Sequence, residues 1–102
     1  MKKWVWVLAI AATGFTSNAQ MLTNSPAASA KTGRALFLKN CAHCHGADAH
    51  GDEGPDLHGL DWTDEQIAVR VRNGKKGQMT AFAGKLQPTE IESVIAYLHT
   101  LK

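Results

Sequence analysis

Cys41-Ala42-His43-Cys44-His45 constrains this chain more than any other stretch, and it uses both cysteines the protein has. Two thiols three residues apart, followed at once by an imidazole, form the attachment pattern of a c-type haem. The chemistry accounts for the spacing. Each thiol bonds one vinyl side chain of the porphyrin, and a three-residue step separates the thiols about as far as the vinyls require. The next residue then projects over the ring face, where an imidazole binds the iron. Three other meanings compete and fit less well. A C-x-x-C redox site belongs in a βαβ setting, and no strand–helix–strand pattern is visible. A structural zinc site needs four ligands, and no second C-x-x-C or H-x-x-x-H completes one. A disulfide between residues this close would stabilise little.

The chain opens with a targeting pattern. Met1-Lys2-Lys3 is basic, and Trp4 to Phe15 is apolar apart from Thr13 and Gly14. Ser17-Asn18-Ala19 places small residues where a signal peptidase reads, so residues 1–19 are expected to be a signal peptide cut before Gln20. The apolar run has about 12 residues where a membrane span needs about 20, which argues against a retained anchor. Ala28-Ser29-Ala30 has the same small-residue form but lies far from the apolar run. Residues 20–29 are polar and small and include Pro26, the composition of a flexible leader. Residues 30–102 are then expected to form one small domain. A chain of that size builds a marginal core and needs a staple, a part that a covalently held haem would play.

Charge excludes some partners. Two of the eleven bases, Lys2 and Lys3, fall in the expected signal; the rest match the nine acids. That balance, without a basic aromatic groove, excludes a nucleic-acid binder. The charges are segregated, with Asp48, Asp52, Glu53, Asp56, Asp61, Asp64 and Glu65 preceding Arg70, Arg72, Lys75, Lys76 and Lys85. Such a dipole orients docking, though two ordinary solvated faces would read the same way.

Periodicity predicts an all-α plan of three or more short helices and long loops. Ala30 to Asn40 carries Gly33, Leu36, Phe37 and Asn40 at helical spacing, with Ser29 placed to cap it. Cys41 follows, so the haem would hang from a helix C-terminus. Gly33 weakens a helix by about 1 kcal/mol relative to alanine, which suggests a close helix contact there. Thr63 and Gln66 match a capping box ahead of a helix to Asn73, with Ile67, Ala68 and Val71 as its apolar stripe and Gly74 ending it. Pro88 opens a last helix whose stripe is Ile91, Val94, Ile95, Leu98 and Leu101, with Tyr97 beside it. The loops at 46–61 and 75–86 need something to fold against, and a haem would supply it.

His45 fills one iron face. The candidates for the other are His43, His50, His58, His99, Met21 and Met79. Met21 lies in the leader, His43 inside the motif, and His50 and His58 too soon after His45. His99 sits on the polar side of the last helix. Met79 lies in a Gly-rich loop that can wrap the far edge of a haem, and a thioether favours the ferrous state. The ordinary alternative for a lone methionine is core filling. Trp62, Arg70 and Arg72 are open to a haem-propionate role or to plain packing and solvation.

The ordered motifs resemble those of the small class I cytochromes c of bacteria, including the cytochrome c domains of the cbb3-oxidase-subunit type. They are Gly33-Arg34-Ala35-Leu36-Phe37, Asn40 to Gly46, Gly54-Pro55-Asp56-Leu57, Asn73-Gly74, Met79-Thr80-Ala81-Phe82, Gly84-Lys85-Leu86 and Ile95-Ala96-Tyr97-Leu98. The resemblance covers roughly Lys31 to Leu101. It implies a cytochrome c fold around one haem c, thioethers at Cys41 and Cys44, His45 as proximal and Met79 as distal ligand. It also implies that the carbonyl of Pro55 accepts the other ring N–H of His45. Gly33 and Phe37 would meet Tyr97 where the first and last helices cross. Thr80 departs from the family's common proline after the methionine. Export agrees with the resemblance, because covalent haem attachment in bacteria is completed outside the cytoplasm.

These readings converge on a periplasmic single-electron carrier rather than an enzyme, docking transiently with redox proteins and having no membrane span once the signal is cut. The alternatives are a haem c subunit of a larger dehydrogenase or oxidase, and a haem-based gas sensor.

Overall fold

The computed structural model describes residues 26–102; the expected signal peptide and residues 20–25 of the expected leader lie outside them. In chain order the helices are α1 (Pro26–Asn40), α2 (Ala42–His45), α3 (Asp64–Asn73) and α4 (Pro88–Leu98). Among the described residues the only β pairing is an isolated bridge between Lys75 and Met79. The all-α expectation therefore holds.

The first helix is longer than the sequence suggests. It includes Pro26 through Ser29, whose composition reads as leader, so Ser29 lies inside the helix rather than capping it. Proline is tolerated in a first turn because its missing N–H has no intrahelical partner there, and the alanines that follow are strong helix formers. At the other end, Cys41 still donates from its backbone N to Phe37 O at 2.8 Å. The chain then turns into α2, which Gly46 ends at φ 82°.

Helix α3 starts as its sequence predicts. Thr63 Oγ1 accepts from Gln66 N at 3.1 Å, and Gln66 Oε1 accepts from Thr63 N at 2.9 Å. Two backbone donors that the helix leaves free are satisfied reciprocally. Helix α4 uses the same device one residue before Pro88, where Gln87 N donates to Glu90 Oε1 at 2.8 Å.

The core forms where α1 crosses α4. Phe37 is fully buried, and its ring meets Tyr97 at 5.3 Å between centroids with a 52° tilt. That tilted arrangement suits the opposed charge of ring edge and ring face. Ile91, Val94, Ile95 and Leu98 are buried along α4, and Ile67 and Val71 join them from α3. Phe82 and Leu86 close the core from the loop between α3 and α4. That loop is pinned back on α3, because Phe82 N donates to Val71 O at 2.9 Å and Ala83 N to Arg72 O at 3.2 Å. Leu101 lies beyond the end of α4 and is only partly buried against the core.

Candidate haem site

The Cys41–His45 segment is itself a helical turn. Cys44 N and His45 N both donate to Cys41 O, at 3.2 and 3.0 Å. The two thiols and the imidazole are thus fixed by one turn of backbone rather than spread along a loop. Both cysteines are free and half-buried. Burial, with a smaller contribution from Cys44, pushes the Cys41 thiol up to about 11. Dithiol redox sites work the other way, lowering a thiol pKa to make a thiolate nucleophile, so this environment disfavours that chemistry.

His45 is held from behind. Its Nδ1 donates to Pro55 O at 2.8 Å, which leaves Nε2 as the ring nitrogen with a free lone pair. A short loop delivers that carbonyl. Gly51 N donates to His45 O and Gly54 N to Cys44 O, each at 2.7 Å, tying the loop across the end of α2. Gly54 is required by contact: a Cβ there would stand 2.9 Å from His45 Cε1 and 3.0 Å from Nδ1.

Met79 is positioned by the bridge. Lys75 N donates to Met79 O at 2.9 Å, and Met79 N donates to Lys75 O at 2.8 Å, with Gly77 at φ 75° in the turn between them. Gly74, at φ 64°, lies against the same strand of loop; a Cβ there would collide with Met79 O and stand 2.7 Å from Ala81 N. The left-handed backbone and the close approach both demand glycine. The sequence marks Gly74 as a helix end, and the structure adds that it lets the Met79 segment pass. The side chain of Met79 is partly buried against the core. With Thr80 in place of proline, this two-bond bridge supplies stiffness to the turn.

Three of the other candidate ligands, His50, His58 and His99, already have hydrogen-bond partners of their own. His43 is exposed. His50 and His58 gather around Asp56, and His99 donates from Nε2 to Asp64 Oδ1 at 2.7 Å. Met21 lies outside the described residues. Arg70 sits over the Trp62 ring at 5.1 Å, and Arg72 donates to Glu65 Oε1 at 3.3 Å, so both arginines have local partners.

The family model for cytochrome C oxidase, cbb3-type, subunit III matches residues 28–98. The chain belongs to this family. Its fold and cofactor follow: it is a class I c-type cytochrome domain, an electron-carrying protein with covalently bound haem c. Over 89 residues it is 36% identical to the cbb3-type cytochrome c oxidase subunit FixPc of Rhizobium leguminosarum, an alignment covering 78% of this chain and 31% of that protein. The cytochrome thus spans about a third of the length of such relatives. A cytochrome c-553-like protein of Synechocystis is 39% identical over 74 residues, covering 71% of this chain and 69% of the other. Cytochrome CL of Methylophaga aminisulfidivorans superposes with a TM-score of 0.68 at 28% identity, over 78% of this chain and 57% of that one. Among the described residues, no helix of the cytochrome is long and apolar enough to cross a membrane.

Proposed function

We propose that this cytochrome is a periplasmic single-electron carrier whose haem c is held by thioethers at Cys41 and Cys44, with His45 and Met79 as iron ligands. The observation that carries the reading is the 2.8 Å bond from His45 Nδ1 to Pro55 O, made on the same helical turn as two free thiols. The donor set fits the group. Two thiols stand one turn apart beside an imidazole whose Nε2 is uncommitted, and a thioether lies in a separately braced loop. Leu57, Leu60, Met79 and Cys41 are only partly buried, leaving apolar surface that the faces of a porphyrin would cover.

Haem c supplies a one-electron Fe(II)/Fe(III) couple. The chain's own residues do the rest. The Pro55 carbonyl fixes the His45 ring and strengthens its donor nitrogen. The Met79 thioether favours the ferrous state and keeps small ligands out. Residues 1–19 act as the export signal in this reading and the residues after them as a short leader, with the haem domain beginning at α1, which puts the carrier where transient redox partners can reach it. Such encounters use small, quickly dissociating interfaces. The cbb3-type relatives favour a second reading, a haem c subunit of a larger oxidoreductase, which would co-purify as a stable complex rather than as a free chain.

Absorption spectra in both oxidation states test the ligands. The wild type is expected to show sharp ferrous α and β bands and a weak far-red ferric band, and to resist carbon monoxide at neutral pH. Met79→Ala is expected to lose the far-red band, bind carbon monoxide readily and drop in potential by on the order of 100 mV. A variant indistinguishable from wild type would remove Met79 as a ligand. Ready carbon monoxide binding by the wild type would move the reading to a gas sensor.

A further inference from the structure

The loop that delivers the Pro55 carbonyl carries a second cluster of ligating side chains, for which electron transfer has no use. His50, Asp56 and His58 each place a ligand atom so that all lie within 4.8 Å of one another. Asp56 is the hub. Its Oδ1 accepts from His58 Nδ1 at 3.0 Å, and its Oδ2 takes His50 Nδ1 at 3.4 Å. Tetrahedral coordination with metal–ligand bonds of about 2.1 Å has ligand–ligand edges of roughly 3.4 Å. The two imidazole–carboxylate contacts, one to each oxygen of Asp56, are close to that length, so small side-chain rotations bring one oxygen and both rings around an ion.

The loop is built to bring these groups together. Ala49 is buried and adopts φ 62°, turning His50 back toward the residues that follow Pro55. Asp48 Oδ1 accepts from His50 N at 3.0 Å, and Ala49 O accepts from Leu57 N at 2.8 Å. Asp56 Oδ1 also accepts from His58 N at 2.8 Å. The bonds that Asp56 itself accepts, led by the one from the His58 amide, hold its carboxyl below its ordinary value. The imidazole rings are stacked at 3.6 Å, parallel to within 6°. A shared ion requires them to splay toward Asp56, and His50, 59% exposed, is free to turn.

We propose that His50, Asp56 and His58 form a surface site for a divalent transition-metal ion of borderline softness, such as Zn2+, Cu2+ or Ni2+, with water completing the shell. Two imidazoles and one carboxylate suit such ions, whereas Ca2+ and Mg2+ prefer all-oxygen shells. On binding, each Nδ1 gives its lone pair to the metal and the ring carries its proton on Nε2. Zn2+ is the probe of choice because it has no redox chemistry of its own to confuse with the haem.

The test uses the untagged, haem-loaded full chain, stripped with a chelator and titrated with Zn2+ by calorimetry at neutral pH. One Zn2+ per chain is expected, with the His50 and His58 ring signals of the ferrous protein shifting in NMR spectra. His50→Ala and His58→Ala are each expected to weaken binding by roughly tenfold or more, while His99→Ala leaves it unchanged. An unaltered haem spectrum in each variant checks the fold. If His58→Ala does not fold, exposed His50→Ala decides alone. A wild type that takes up no Zn2+, or a His50→Ala variant with wild-type affinity, shows an internal hydrogen-bond cluster only and overturns the proposal.

Discussion

A chain carrying Cys41→Ala and Cys44→Ala together is expected to be largely unfolded at room temperature. The reason lies in how little the polypeptide can bury by itself. Phe37 is the only large side chain that is fully buried among the described residues, and half of the remaining core comes from α4 alone. The site loops are thinly held. The Gly46–Asp61 stretch contributes only Ala49 to the core, while Leu57 and Leu60 stay partly exposed. Ordering each residue costs roughly 1–2 kcal/mol of backbone entropy, and a domain this small has little surplus to offset it. A large apolar cofactor held by two bonds adds its own surface to the core and also restricts the unfolded chain. Far-UV circular dichroism of the double variant is expected to lose roughly half or more of its helical signal, with no cooperative melt. A native-like helical spectrum with a sharp transition would show that the chain folds without its haem, and would sink the idea that the cofactor is a structural staple.

The features legible in the sequence are those whose physics is local. The capping box of Thr63 and Gln66 involves residues three apart, and it appears in the structure with both bonds made. The stripe of Ile91, Val94, Ile95 and Leu98 is a helical period, and all four are buried. Pro55 as the acceptor for His45 came from resemblance rather than from spacing, and the 2.8 Å contact is present. What the sequence hid depends on chain folding over distance. Four residues are too few to show a period, so the Ala42–His45 turn was invisible. Ser29 looked like a cap because it is a capping residue type, yet the helix continues through it from Pro26. His50 reaches Asp56 and His58 across a loop in which Ala49 takes a left-handed conformation, which alanine rarely does and no pattern announces. The signal peptide falls outside the described residues and stays an expectation from composition.

Gly33→Ala is expected to destabilise the domain clearly, although it trades a poor helix former for the best one. On propensity alone the change in α1 would gain about 1 kcal/mol. The crossing with α4 forbids that gain. A Cβ at Gly33 would overlap the Ser93 carbonyl and stand 2.9 Å from Val94 N. Those are backbone atoms inside a helix, so no side chain can rotate away, and the two helices must part. Separation at that point also pulls Phe37 from Tyr97, since the ring pair lies one turn further along the same crossing. Overpacking of this kind costs about 1–3 kcal/mol, and the loosened aromatic pair adds about 0.5–1.5 kcal/mol. After the propensity gain, a net loss of about 2 kcal/mol remains, which lowers the melting temperature of a domain this size by roughly 10 °C. Gly84→Ala is the matched control, because a Cβ at Gly84 meets nothing within 4 Å. Thermal melts of the two haem-loaded variants should therefore diverge, with Gly84→Ala near wild type. If Gly33→Ala melts with it, the first and last helices do not need to touch at Gly33, and the crossing is held by its aromatic pair instead.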